Sequence, residues 1–458
     1  MKFIFFSEYG ETLDLALYMS KVMGHDVVMH IINKDYQCIG KGLIKHVDEW
    51  YDELGKGRVW VFDSCTFGRF QDFLRESGEF VFGGCELGDE LENNRQLNQE
   101  WFKSLGFKQP KSRNFKSIAD AKQYVQEHSD KRWILKQNGS APKSINHMGK
   151  FDNSVDMLYH LDELTRSWNA QKFGEFDCDL MEVVKGVEVA ASAFFNGTDF
   201  LRNKDGRIAG YLNFEEKKEA DDGLGETCGE MGTTFIGVDD SNSLFKAILG
   251  KRAIADKLRD IGFRGVFDIN CIVIEDTDQI VALEPTMRFG IPATSYELIE
   301  GLDMDPALLI NAVARGESIE LKHHTGPGMV MCVVAKPFPI DPDEGGMDDR
   351  ATSLGERLWI LGKDGQPVPE FTDRQREHIH LFNFEYNEPT SDDPSGAESC
   401  YKVATKQGYM LTCTARRSTI KATRNYLIQY IRDNIYLPGM KWRSDIGERI
   451  EEDIDGLY

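Results

Sequence analysis

Basic residues are scarce in this 458-residue chain: Lys and Arg number 54 against 76 Asp and Glu, a formal net charge of −22. A field of that sign repels nucleic-acid phosphates, so a duplex nucleic acid is not expected as a partner. Long apolar runs are missing too. After Lys2 only Phe3-Ile4-Phe5-Phe6 precede Ser7 and Glu8, too short for a membrane span or a signal-peptide core. The nine cysteines are scattered, with no Cys-x-x-Cys pair and an odd total, so neither a zinc frame nor a full set of bridges is expected. Reduced thiols, a cytoplasmic location and no membrane association are the expectation. No Gly-x-Gly-x-x-Gly opens the first helix, which argues against a dinucleotide site. What is present is an ordinary globular mixture, 41% hydrophobic and 28% charged, which excludes collagen-like and disordered readings. The length suits two to four domains with extensive buried surface.

The first hundred residues alternate short apolar runs (2–6, 27–31, 59–62, 80–82) with helical spacing, as at Leu13, Ala16 and Leu17. That alternation predicts βαβ units in a parallel sheet. Right-handed crossovers bring the carboxyl ends of such strands to one edge, where small ligands bind; here the edge carries Ser7-Glu8-Tyr9-Gly10 and Asp63-Ser64. A helix over 88–105 is predicted to end at Gly106, and a second α/β region follows. Strands are predicted over 133–136, 179–184, 187–195, 210–214, 265–274, 279–284 and 329–334, with a hairpin turn at Asp276-Thr277-Asp278. Helices are predicted over 243–259 and 418–434, the latter with Ile420, Leu427 and Ile431 on one face. The acidic, Pro-containing segments 340–349 and 387–398 read as loops. The expected fold is multidomain, α/β and α+β, divided into 1–106, 107–190, 191–324 and 325–458.

Several residues could carry chemistry. In Phe267-Asp268-Ile269-Asn270, strand alternation places Asp268 and Asn270 on one face; in Leu283-Glu284-Pro285-Thr286-Met287-Arg288, it does the same for Glu284, Thr286 and Arg288. Carboxylates facing one space are costly without a partner, and Mg²⁺, or Mn²⁺, neutralises them through hard oxygen ligands. The plainer alternative is a solvated hairpin face. Lys136 ends the run Trp133-Ile134-Leu135 and precedes the small-residue loop 137–144, which includes Lys143. A lysine so placed can reach phosphates while loop N–H groups cover them, although a surface lysine at a strand end reads the same way. Glu182-Val183-Val184-Lys185-Gly186-Val187-Glu188 resembles two strands joined at a glycine. Exposed backbone there can pair with a purine and a carboxylate with ribose, or the acids can be edge-strand charges.

In this order the segments resemble the ATP-grasp fold, in which two α+β subdomains hold ATP, here preceded by a Rossmann-like parallel-sheet domain and followed by a C-terminal α+β domain. The segment from Gly225 to Gly232 reads GETCGEMG and is similar to the substrate loop of phosphoribosylamine–glycine ligases, GPNTGGMG. Glu216-Lys217-Lys218 stands where that family has Asp-His-Lys, and Arg288-Phe289-Gly290 matches its Arg-Phe-Gly. Gly439-Met440-Lys441-Trp442-Arg443-Ser444-Asp445-Ile446-Gly447 resembles the closing Gly-Met-x-Tyr-Arg-x-Asp-Ile-Gly, and Leu91-Glu92-Asn93-Asn94-Arg95 the family's Leu-Glu-x-Ser-Lys. The likeness spans nearly the whole chain. It departs at Ser7 to Leu13, where the family has a Gly-rich turn and Arg-Glu-His, at Ile291-Pro292-Ala293 in place of Asp-Pro-Glu, and at Thr286 in place of a metal-shell asparagine.

The resemblance implies an enzyme in which a substrate carboxylate takes the γ-phosphoryl group of ATP and an amine then displaces phosphate from the acyl phosphate. It implies Asp268, Glu284 and Thr286 toward metal. Toward ATP it implies Arg95, Lys136, Lys143, Glu182, Glu188 and the backbone of Val183 and Val184. Arg288 would meet the carboxylate. Lys218 and the loop residues Gly225, Glu226, Thr227, Cys228, Gly229 and Met231 would face the amine substrate. Three readings stay open: ligation of glycine to phosphoribosylamine in purine synthesis, ligation of another acid or amine, and nucleotide binding without turnover. A monomer or homodimer is expected.

Overall fold

Phe3 and Phe5 pack into one apolar core of the structure and Ile4 and Phe6 into another, so the first strand is buried on both faces. That double burial explains its unbroken apolar run, which is the mark of a parallel strand covered on both sides. The computed structural model describes residues 1–137, 146–171, 176–274, 277, 279–290, 292, 294–340, 348–387 and 399–453. The predicted loop 140–144 with Lys143, the turn residues Asp276 and Asp278, Ile291 and Ala293, and most of the two acidic segments lie outside them. Two compact units form: Met1–Asn98, Glu188–Asn270 and Glu284–Tyr458 make the larger; Gln99–Val187 and Cys271–Leu283 make the smaller.

The larger unit opens with five parallel strands. Their spatial order is Lys45–His46, Asp26–Ile31, Lys2–Ser7, Arg58–Phe62, Phe80–Phe82. Ser7 ends the first strand and Asp63 directly follows the fourth, so both stand at the carboxyl edge of the sheet. A second sheet of eight strands runs in the order Ile280–Thr286, Gly265–Ile274, Gly186–Phe195, Ala209–Glu215, Gly232–Asp239, Gly326–Val334, Tyr409–Arg416, Ile379–Leu381. In its antiparallel register Ala190 and Phe235 flank Asn213, and Thr233 faces Glu215. Alternation therefore gives Tyr211, Asn213 and Glu215 one face. The wide-turn helix Thr294–Glu300 meets that face: the Tyr211 hydroxyl donates to the Glu297 carbonyl at 3.1 Å, and the Asn213 amide donates to the Tyr296 hydroxyl at 2.8 Å.

Two predicted helices are each divided. The helix over 88–105 becomes Glu86–Asn93 and Arg95–Ser104, because extended Asn94 caps the second with its side-chain oxygen, accepting from the Leu97 N–H at 3.1 Å. The helix over 243–259 becomes Ser243–Leu249 and Arg252–Asp260, interrupted at Gly250 and extended Lys251. The C-terminal helix Ile420–Asn434 buries Ile420, Leu427 and Ile431, the face its spacing predicts. All nine cysteines are free thiols.

In the smaller unit four antiparallel strands follow the order Ser112–Phe115, Cys178–Glu182, Trp133–Gln137, His147–Met148. Helices Ile118–Glu127 and Val155–Gln171 join them around Phe115, Trp133, Leu135, Leu161 and Leu180. Gly186 has no room for a side chain: a Cβ there would lie 2.1 Å from the Val273 carbonyl oxygen. Among the described residues, no helix is long and apolar enough to cross a membrane.

Candidate functional site

The polar end of the eight-stranded sheet gathers carboxylates around one lysine. Strand Gly265–Ile274 supplies Asp268, strand Gly186–Phe195 supplies Glu188, and Ala209–Glu215 supplies Asn213 and Glu215. Lys217, two residues past that strand, places Nζ 2.6 Å from Glu188 Oε1 and 3.1 Å from Glu215 Oε2. Burial works against its charge, but Glu215 and Glu188, with Glu284 further off, outweigh burial and raise its pKa. Asp268 is 8% exposed; its Oδ2 accepts from the Asn213 amide at 3.1 Å, while its buried Oδ1 has no hydrogen-bond partner. Burial, then Glu215 and Glu297, push its pKa well above the ordinary carboxyl range. Burial, then Glu215, does the same to Glu230, whose carboxylate accepts from the Thr233 hydroxyl. Asn270 is buried like Asp268, Glu284 is exposed and Thr286 half-buried.

The segment 216–232 leaves this sheet as a ribbon in which Lys218–Ala220 pairs with Leu224–Thr227. Gly225, at φ +80°, occupies the left-handed region that a side chain disfavours, and Gly225, Glu226, Thr227 and Gly229 are exposed. Cys228 is half-buried and Met231 buried. The Lys218 ammonium donates to the Gly225 carbonyl at 3.3 Å. Arg443, 2% exposed, clamps the ribbon's base: its guanidinium donates to both Asp445 oxygens at 2.8 and 2.7 Å and to the Lys218 carbonyl at 3.1 Å, and lies 3.3 Å from Glu216 Oε2. A planar fork is needed to reach all of these together. The C-terminal Arg-Ser-Asp motif thus has a visible task, which is to anchor the ribbon that follows Lys217.

Arg288 lies just past strand Ile280–Thr286 and its Nε donates to Glu92 Oε1 at 3.0 Å. The other oxygen of Glu92 accepts from the Met287 N–H at 2.7 Å, so the motifs around Glu92 and Arg288 are tied to each other. Arg288 also feels the Cys65 thiol and Glu11. Around Glu11 stand Asp63 and Glu8, with burial first and Asp63 next raising the Glu11 carboxyl to about 8. The Asp63 Oδ2 accepts from the Thr12 hydroxyl at 3.0 Å, and burial raises that carboxyl to about 6. Arg95 opens the helix Arg95–Ser104 and is half-buried.

The remaining candidates sit in or beside the smaller unit. Lys136 lies on strand Trp133–Gln137 opposite Asp179. Glu182 is paired with Lys131 at 3.1 Å. The Val183 N–H donates to the Arg132 carbonyl at 2.9 Å, and Val184 follows it, half-buried.

Sequence reasoning did not assign roles to Glu215, Lys217, Glu230 and Asn213 in the acidic nest, or to Glu11 and Asp63 at the sheet edge. The signal for the first group was available: Asn213, Glu215 and Lys217 recur at period two. Among the described residues no three carboxylate, imidazole or thiol groups are already arranged to ligate one metal ion.

The fold is that of the ATP-grasp proteins, α/β and α+β in several parts. Within that class the chain is most informatively compared with phosphoribosylamine–glycine ligases. The enzyme of that name from Helicobacter pylori is 22% identical over 390 residues, covering 83% of this chain and 79% of its own. The crystal structure of phosphoribosylamine–glycine ligase from Thermotoga maritima superposes with a TM-score of 0.66 at 16% identity, covering 97% of this chain and all of that one. The biotin carboxylase domain of the Hydrogenobacter thermophilus 2-oxoglutarate carboxylase, solved with MgADP and bicarbonate, gives 0.59 at 11% identity over 96% of this chain and 91% of its own. No protein-family model matches the chain. The resemblance drawn from the motifs is therefore met again in sequence over 83% of the chain and in fold over 97% of it.

Proposed function

We propose that the protein is an ATP-dependent carboxylate–amine ligase that forms an amide through an acyl phosphate. The observation that carries this reading is the buried Asp268, with one oxygen unpartnered, among Glu215, Glu230 and Glu188 around Lys217. Carboxylates crowded in this way favour a divalent cation, and hard oxygen donors suit Mg²⁺ or Mn²⁺. Asp268 and Glu284 would hold it with the Thr286 hydroxyl, and the ATP phosphates would supply the ligands that protein side chains do not. Such an ion offsets the repulsion between an anionic acid and the γ-phosphate.

The chain's own residues then have separable roles. Lys136, Lys143 and Arg95 pair with phosphate oxygens. Glu188, already bridged to Lys217, takes the ribose hydroxyls, and backbone groups near Glu182, Val183 and Val184 take the adenine. Arg288 presents its fork to the substrate carboxylate, held in place by Glu92. The carboxylate oxygen attacks phosphorus, and ADP leaves with the electron pair of the broken P–O bond. The amine, seated near Lys218 and the ribbon from Gly225 to Met231, attacks the acyl carbon; phosphate leaves and the nitrogen gives up a proton. Residues 107–190 and 191–324 would be the two ATP-grasp subdomains, flanked by 1–106 and 325–458.

Glycine and phosphoribosylamine are the first pair to test, in the purine-forming step. Glu8, Glu11 and Asp63 at the carboxyl edge of the parallel sheet favour a second reading with the same chemistry and another amine, because a sugar phosphate needs cations there. The test is release of ADP and phosphate by purified protein with ATP, Mg²⁺, glycine and phosphoribosylamine, repeated with other amines and acids. Nucleotide binding without ADP release from any pair would leave a binding module instead.

A further inference from the structure

A cavity of about 250 Å³ lies wholly within the larger unit, lined among others by Tyr9, Glu11, Cys228, Phe338, Phe382 and Tyr409. It joins the loop after the first parallel strand to the Cys228-Gly229 end of the ribbon. Glu11 is the only acid among the described lining residues, and neither Lys, Arg nor His is among them. Asp63 and Glu8 stand close enough to raise the Glu11 carboxyl further, and Arg288 is the cation that opposes them. The Cys228 thiol and the Tyr409 hydroxyl of the lining carry no charge near neutral pH. Burial pushes the Cys228 thiol up to about 11, and the Tyr409 hydroxyl is engaged with the Glu230 backbone at 2.8 Å.

The rest of the wall is aromatic and aliphatic. Phe338 and Tyr409 meet edge to face with centroids 4.9 Å apart, and Tyr9 stands against Tyr36 at 5.0 Å. Lys441 approaches Phe338, 5.6 Å from the ring centroid, without being part of the lining. A phosphate dianion entering this space would meet Glu11 and find no cation among the described lining residues. An ammonium would favour the ionised form of Glu11, whose carboxyl burial holds up at about 8, and would face the negative faces of aromatic rings, the pairing that recognises organic cations.

We propose that this cavity seats a phosphate-free organic ammonium with an apolar or aromatic body, and that Glu11 determines that choice. Its assignment as the amine pocket of the ligase rests on the function proposed above; the preference for a cation does not. Cys228 and Gly229 connect the cavity to the ribbon that would present the amine, and the Arg288 that feels Glu11 is the group that would hold the acid.

Benzylamine and phenyl phosphate, similar in size and opposite in charge, test the proposal by isothermal titration calorimetry on the full chain. Benzylamine is expected to bind at least ~10-fold more tightly than phenyl phosphate, and Glu11→Gln to weaken benzylamine by a similar factor with the melting temperature as the check on folding. Phenyl phosphate binding as tightly as benzylamine, or benzylamine unaffected by Glu11→Gln, would overturn it. Should that variant not fold, Phe338→Leu carries the same test through the ring. ADP release with ATP and glycine, measured alongside, separates the two claims. Benzylamine binding without ADP release from any acid and amine removes the ligase and leaves the cation site standing. ADP release with phosphoribosylamine and no benzylamine binding removes the cation site and leaves the ligase.

Discussion

Lys217 Nζ lies 2.6 Å from Glu188 Oε1, and this contact holds one cation inside a nest that also contains Glu215, Asp268 and Glu230. Lys217→Met removes the charge and keeps much of the volume. The carboxylates left behind repel one another, so the unliganded protein should lose ~1 kcal/mol, the scale for a half-buried ion pair that solvent partly screens. Urea unfolding measures this. Added Mg²⁺ should restore part of the loss in the variant; no destabilisation would show that Lys217 does not balance the nest.

Asp268→Asn should act in the opposite direction on stability. It removes a buried carboxylate whose charged form burial disfavours, while the Asn213 amide still finds an oxygen. The unliganded variant is expected to gain ~1 kcal/mol while ATP-dependent ADP release falls at least ~100-fold, a trade between stability and function. Equal stability and full activity together would remove Asp268 from the site.

Arg443→Lys tests the clamp beneath the ribbon. Lysine keeps the charge but cannot address both Asp445 oxygens, the Lys218 carbonyl and Glu216 at once. A loss of ~2 kcal/mol is expected, with faster hydrogen exchange over residues 218–227 than elsewhere in the chain. Uniform exchange would place the effect outside the ribbon.

Asp14 supplies a pH dependence. Burial raises its carboxyl to about 6, against hydrogen bonds from the Thr294 and Ser295 hydroxyls, which donate to Oδ2 at 2.6 and 2.7 Å. The folded state therefore holds this proton more tightly than the unfolded chain. Its contribution, about 3 kcal/mol, is present below pH ~4 and is lost as the pH rises through ~6. Asp14→Asn should flatten the stability profile between pH 4 and 7 relative to the unsubstituted protein. Parallel profiles would contradict the assignment.

How far these features could be read beforehand depends on their range along the chain. Strand Gly265–Ile274 carries its own signature, an apolar run with Asp268 and Asn270 at period two, and its bounds follow from local pattern. The ATP-grasp fold was legible because motifs occur in order from Glu92 to Asp445. The partner of Arg288 was not, because Glu92 is 196 residues away and only the folded sheets bring them together. The division at Asn94 turned on one side-chain cap within a helix-favouring stretch, which periodicity does not register. The acidic nest fell between the two cases: Asn213, Glu215 and Lys217 declare a common face, but only the register with Glu188 shows that the lysine is shared.

The central claim is that a carboxylate oxygen attacks the γ-phosphate before an amine takes its place. Glycine labelled with ¹⁸O in its carboxyl group, given with ATP, Mg²⁺ and an amine that supports turnover, tests this directly by mass spectrometry of the released phosphate. Each phosphate should carry one oxygen from the labelled acid; phosphate released without label, or no ATP consumed with any acid and amine tried, would contradict the account.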